Sequence, residues 1–250
     1  MRGADTAVGG SGPAISLTKV QETAPALVSL YKSAGASLEK HGLGGQRAAV
    51  YLVLDYSGSM STYYKDGSVQ ALAERVLGLS AHLDDDGRVP VVFFSTDIDG
   101  FADIGLENHR GLIDKIVANL GHMGRTNYHV AMDAVIDHYL ESGAIDPALV
   151  VFQTDGGPSS ELAAERYVCK AAKLPLFWQF VGFGNTRSSQ FDFLRKLDEL
   201  AVPAKRTVDN AGYFHAGLDP RKVPDRKLYD RLVAEFPLWL AAAREQGIVR

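Results

Sequence analysis

Val50-Tyr51-Leu52-Val53-Leu54-Asp55-Tyr56-Ser57-Gly58-Ser59-Met60 is the stretch on which the fold turns. An apolar run from Val50 ends abruptly at Asp55. A short run of this kind, bounded by turn signals, predicts a fully buried strand of a parallel sheet. Beyond the strand, Asp55, Ser57 and Ser59 fall at every second position, and each offers oxygen. A loop leaving a strand end with that spacing can curl around one hard cation. Magnesium or manganese suits such ligands, whereas zinc would favour nitrogen or sulfur.

Two hydroxyls and one carboxylate hold a divalent ion poorly, so more ligands are needed. Gly124-Arg125-Thr126-Asn127 follows a Gly-containing loop and opens a predicted helix, where Thr126 can present its hydroxyl. Val150-Val151-Phe152-Gln153-Thr154-Asp155-Gly156-Gly157 repeats the pattern of the first strand, an apolar run ending in Asp and Gly. If the two strands are parallel neighbours, Asp55 and Asp155 emerge at one sheet edge. The crevice outside the carboxyl ends of strands is where open α/β sheets bind ligands.

With these residues in place the chain resembles the von Willebrand factor A (VWA) domains. D-x-S-x-S, then T in a G-x-T-N loop, then T-D-G is the pattern of their metal-ion-dependent adhesion site. Asp55, Ser57, Ser59, Thr126 and Asp155 match all five of its positions. Smaller echoes are similar to the bacterial, copine-like VWA proteins associated with tellurite resistance: YKDG at 64–67, DDDG at 84–87, FSTD at 94–97 and TNY at 126–128. Arg125 departs from the small residue often found before the threonine. The resemblance covers roughly residues 48 to 245.

Composition bounds the remaining possibilities. The 250 residues are 46% hydrophobic and 22% charged, enough for one large domain with a core of its own. A net charge of −4 offers no global basic field for nucleic acid or a membrane surface. Cys169 is the single cysteine, which excludes an internal disulfide framework and fits a reducing, cytoplasmic compartment. No apolar run reaches the ~18 residues of a transmembrane helix, and the start lacks the features of a secretory signal.

Taken in order, residues 1–14 read as a Gly/Ala/Ser-rich disordered tail and 15–47 as a helical extension. That extension centres on one helix from about Ala24 to Lys40, docked through Leu27, Leu30, Tyr31 and Ala34. The VWA-like domain then occupies 48–245. Strands are expected at 48–55, 89–94, 149–154 and 176–181. A short antiparallel edge strand is expected at 101–104, and a further edge strand at 206–209 with 213–215 pairing nearby. Helical stripes separate them, Ser68 is the expected cap of the 69–83 helix, and the last helix runs from Leu228 to Arg244 with a kink at Pro237. Alternating strands and helices argue for a doubly wound, mostly parallel six-stranded sheet with helices on both faces.

The resemblance implies a use for the site. Asp55, Ser57 and Ser59 would hold Mg²⁺ or Mn²⁺, while Thr126 and Asp155 exchange between direct and water-mediated contact. An ion left electrophilic by few charged ligands favours an anion, and the resemblance implies an acidic side chain of a partner protein. Tyr56, Met60, Thr62, Tyr63, Tyr64 and Arg125 are the expected partner-binding rim, being of types or positions suited to binding surfaces. The expected role is a non-enzymatic protein-interaction module in tellurite or chemical stress response. One alternative is a metal-dependent hydrolase acting on a phosphorylated substrate, for which His122 and His129 are the histidines placed to serve as base. Another is a purely structural metal. There is no P-loop, and Ser57 lacks the G-x-S-x-G nucleophile elbow.

Overall fold

The computed structural model describes residues 12–202 and 204–250. Most of the tail expected over 1–14 therefore lies outside the described residues. Ala14, at its end, donates its backbone N–H to His82 O.

The apolar run at residues 49–55 forms β1 (Ala49–Asp55), and every position from Val50 onward is buried. Its side chains alternate between two cores: Val50, Leu52 and Leu54 face one, Tyr51 and Val53 the other. Burial on both faces is what a parallel strand between two helical layers requires. β1 lies in the middle of a six-stranded sheet. With β2 (Arg88–Phe94), β3 (Ile98–Gly105), β4 (Ala148–Thr154), β5 (Leu176–Phe183) and β6 (Ala211–Gly217), the order is β3-β2-β1-β4-β5-β6. All neighbours are parallel except β2 and β3, which form the antiparallel edge.

The first core lies under α1 (Leu17–Thr23), α2 (Val28–Lys40), α4 (Ser68–Leu83), α5 (Leu112–Val117), α9 (Asp225–Val233) and α10 (Phe236–Glu245). The second lies under α6 (Tyr128–Ser142), α7 (Glu161–Ala171) and α8 (Asp192–Asp198). The short α3 (Ser61–Lys65) sits in the loop after β1. Strand order reverses between β1 and β4, so the crevice at their carboxyl ends is the switch point of the sheet.

Several elements differ from expectation for identifiable reasons. The N-terminal extension is two helices, because Ser16 caps α1 and Pro25 opens a 3₁₀ turn before α2. Pro237 likewise sits in the first turn of α10, and the chain breaks before it instead of kinking one long helix. The cap of α4 is Gly67, at φ 79°, and Asp66 Oδ1 accepts the backbone N–H of Ser68. The edge strand beyond β5 is β6. Residues 206–209 form a loop instead, held by the Arg206 guanidinium, which donates to the carbonyls of Leu200 and Asp198. No helix among the described residues is long and apolar enough to cross a membrane.

Candidate metal centre

Parallel pairing of β1 with β4 places Leu54 beside Gln153. One step further on, Asp55 meets Thr154, whose hydroxyl donates to Asp55 Oδ2 at 2.6 Å. The other carboxylate oxygen, Oδ1, accepts the backbone N–H of Ser57 at 2.8 Å. Asp55 is 0% exposed, and burial pushes its carboxyl up to about 7, against the pull of its hydrogen bonds from Ser57 and Thr154. The charge of Asp155 adds to that rise.

Asp155 follows Thr154 and turns back over the loop after β1. Its Oδ1 accepts the Ser59 hydroxyl at 2.9 Å, and Ser59 Oγ lies 3.3 Å from Ser57 Oγ. Half-burial holds the Asp155 carboxyl above the usual range too. Four of the five expected ligands, Asp55, Ser57, Ser59 and Asp155, are therefore gathered at one strand end. Thr126 joins through main chain: its N–H donates to Ser159 Oγ, and Ser159 N–H donates to Thr126 O. Its loop is drawn in by a bridge between Ser57 and Gly124. Among the described residues no hydrogen bond ties the Thr126 hydroxyl to the other four.

The loop carrying Thr126 is fixed from the β2 side. Arg125 N–H donates to Thr96 Oγ1, Asn127 N–H to Ser95 O, and the Asn127 amide to Thr96 O. Gly124 is required there, because a Cβ would lie 2.6 Å from both Ser95 Oγ and Thr96 Oγ1.

Three residues expected on the partner-binding rim are inside the protein. Met60 is 0% exposed, with its sulfur against the Gln153 amide. Tyr56 is buried and donates to Gly121 O, and Tyr64 is buried and donates to Asp55 O. The 3₁₀ turn Gly58–Met60 and α3 roll these side chains into the core, so they position the loop instead of lining it. Thr62 and Arg125 are exposed and Tyr63 is half-buried.

Supporting groups to which the sequence reading assigns no role at the site are Thr154, Tyr128 and Ser159. Tyr128 is fully buried, and its hydroxyl reaches both Thr154 Oγ1 and the Gly156 carbonyl. The register of T-D-G against the end of the first strand is the signal for Thr154. Of the two histidines considered as bases, His122 is exposed, and His129 Nδ1 is buried without a hydrogen-bond partner among the described residues.

The donor set is all oxygen. Two carboxylates from different segments share it with serine hydroxyls, and neither makes an ion pair among the described residues. Such a set fits a small hard cation, whose charge would offset the desolvation that raises both carboxyls. Among the described residues no group of three or more His, Cys, Asp or Glu side chains is arranged to hold a metal ion, so at this site the ion's charge would rest on Asp55 and Asp155.

Known proteins resemble the chain in family and in fold. The family described as the VWA domain found in the TerF C terminus matches residues 47–249. The "Uncharacterized protein YcbR" of Bacillus subtilis (strain 168) is 37% identical over 223 residues, covering 88% of each chain. The manganese-loaded TRAP protein of Plasmodium vivax aligns with TM-score 0.50 at 17% identity, over 75% of this chain and 72% of that one. Proximal thread matrix protein 1 from the mussel byssus aligns with TM-score 0.51 at 15% identity, over 75% of this chain and 47% of that one. These two structural likenesses concern the fold.

Proposed function

The chain belongs to the family of VWA domains found in the TerF C terminus, and from that membership we propose that it is a Mg²⁺- or Mn²⁺-dependent protein-interaction module. The observation that carries the reading is the meeting of Asp55 and Asp155 with the hydroxyls of Ser57 and Ser59 in the switch-point crevice. Asp55, Ser57 and Ser59 would hold the ion, with Thr126 and Asp155 completing its surroundings. Bound there, the ion supplies a positive centre for a carboxylate of the partner protein. Thr154, through its hydrogen bond, and Ser57, through its backbone N–H, orient the Asp55 carboxylate toward that task. Thr62, Tyr63 and Arg125 form the accessible rim.

The setting we propose is cytoplasmic and belongs to tellurite or chemical stress response, on the strength of the bacterial VWA proteins that the sequence resembles. The protein is proposed to bind and not to turn over substrate. A hydrolase would need a base beside the metal-bound water, and neither His122 nor His129 makes a hydrogen bond to any of the five site residues among the described contacts.

The test is a calorimetric titration with MgCl₂ and MnCl₂ of the wild type and Asp55→Ala. One site is expected in the wild type and none in the variant. A tight zinc site instead, or unchanged binding in Asp55→Ala, would refute the assignment. Metal-dependent phosphate release from generic phosphate esters, lost in His129→Ala with metal binding retained, would replace it with the hydrolase reading.

A further inference from the structure

A groove of about 600 Å³ opens beside the metal centre, and Ser59 and Asp155 form its near end. Its other walls come from α3, from the loop after β5 and from the loop after β6. Tyr63 and Phe183 meet edge to face with ring centroids 5.3 Å apart, and both line it. Leu218 closes the far side, is 70% exposed and gives the groove an apolar surface there. Asn185, Ser188 and Gln190 supply neutral polar groups, and Asp66 supplies a carboxylate.

Charge decides what fits. No lysine or arginine lines the groove among the described residues. Asp66 uses Oδ1 on the Ser68 N–H and has no ion-pair partner among the described residues. On the proposed reading, the two carboxylates of the centre neutralise a divalent ion, and a partner carboxylate then adds one negative charge. With Asp66 the neighbourhood carries two uncompensated negative charges.

Resting on the metal-dependent reading above, we propose that this groove takes a lysine or arginine side chain of the same partner segment that gives its acidic side chain to the metal. The cationic head would lie against Asp66 and the face of Tyr63, where ring and carboxylate both attract it. Its alkyl stem would cover Leu218, as long basic side chains cover apolar surface elsewhere. The groove begins at two of the centre's own residues. An extended segment advances roughly 3.3–3.6 Å per residue, so the basic side chain belongs within a few residues of the acidic one. The partner is thereby specified as a segment with acidic and basic residues close together.

Three short blocked peptides test this, each with one aspartate and, two residues away, lysine, norleucine or glutamate. Norleucine keeps the lysine stem without its charge. Binding is followed by NMR titration with Mg²⁺ and with chelator. The lysine peptide should bind about 3- to 10-fold more tightly than the norleucine peptide, and the glutamate peptide more weakly than either. The lysine peptide should also shift resonances of Tyr63 and Asn185. Asp66→Asn keeps a side-chain oxygen for the Ser68 N–H, since asparagine makes the same bond to the backbone two residues on as aspartate does, and should erase the lysine preference. Equal Mg²⁺-dependent binding of the lysine and norleucine peptides would overturn the groove assignment and leave the metal reading standing. If no peptide binds in a Mg²⁺-dependent way, the metal reading fails and this inference fails with it.

Discussion

Thr154 Oγ1 lies 2.6 Å from Asp55 Oδ2 and donates to it from the neighbouring parallel strand. The bond is buried, and Tyr128 supports it from the α6 side with its own hydroxyl at 3.2 Å from Thr154. It fixes one carboxylate oxygen while the Ser57 N–H fixes the other. Asp55 is thus oriented before any ion arrives, at the step where the sheet order reverses.

Thr154→Val tests this orientation with little change of volume. A hydrogen bond to a charged group is worth ~1.5–3 kcal/mol, and its loss leaves a buried oxygen without its donor. Mg²⁺ affinity measured by calorimetry should fall by roughly tenfold or more, since 1.4 kcal/mol corresponds to a factor of ten. Full affinity in Thr154→Val would mean that Asp55 is placed by Ser57 and the backbone alone.

The gathering of Asp55, Ser57, Ser59 and Asp155 is legible in the sequence because strand ends are. Two apolar runs, each ending in a carboxylate, determine which side chains leave the sheet at its carboxyl edge. The rim is less legible. Tyr56, Met60 and Tyr64 look like loop aromatics and a loop methionine, yet they recur every fourth residue, the spacing of one helical face. That stripe turns inward and leaves Thr62 and Tyr63 outside. β6 is legible only at its centre, where 213–215 are expected to pair, and for a different reason. Ala211-Gly212-Tyr213-Phe214-His215-Ala216-Gly217 contains two glycines and no β-branched residue, so its pairing with β5 supplies what local propensity does not. Cys169, on α7, is half-buried.

The N-terminal helices should contribute to stability. Val20, Leu27, Tyr31, Ala34 and Leu38 are all buried in the first core. Tyr31 stacks on His82 at 3.9 Å and donates to Ile15 O. Burying a Val or Leu side chain is worth ~1.5–3 kcal/mol before the cost of ordering the chain. Deleting residues 1–40 should lower the melting temperature by on the order of 10 °C, at about 2–4 °C per kcal/mol for a domain of this size. A truncated chain that melts with the full one would show that the extension is only a linker.

Stability should also carry a pH signature far from the metal centre. Glu235, at the start of α10, lies near Asp198 of α8 and Asp209 of the following loop, with Glu199 beside them. Arg206 is the nearest cation and bonds Asp209 at 2.7 Å; Cys169 of α7 faces it. Burial first, then the charge of Asp198, pushes the Glu235 carboxyl up to about 7. Burial and the Asp209 charge also raise Asp198. A carboxyl whose folded pKa lies above its unfolded value binds more protons when folded, so stability must fall as pH rises between the two. The fall should begin near the ordinary carboxylate range and end near pH 7. Both groups are partly solvated, so the Glu235 share is only on the order of 1 kcal/mol. Glu235→Gln should remove that share from the slope of denaturation midpoint against pH. An unaltered slope would show that Glu235 ionises normally.

The last prediction concerns how a partner is held, and it ranks three substitutions. Asp55→Ala should abolish partner binding, because it removes a buried carboxylate on which the ion's charge rests. Thr126→Ala should do less. The Thr126 main chain is fixed by Ser159, and that of its neighbours by Ser95 and Thr96, so the loop should keep its place when the hydroxyl is lost. Asp55, Ser57 and Ser59 would still hold much of the ion, but the partner's carboxylate would meet an ion with one direct ligand fewer. Arg125→Ala should cost least, since the side chain is exposed and an exposed ion pair is worth only ~0–1 kcal/mol. The measurement is recovery of the partner from native lysate by immobilised protein, with Mg²⁺ and with chelator. Losses should rank Asp55, then Thr126, then Arg125, and acetate at high concentration should compete. A partner recovered equally well in chelator, or by the Asp55→Ala protein, would mean that recognition uses another face and that any ion held here serves structure alone.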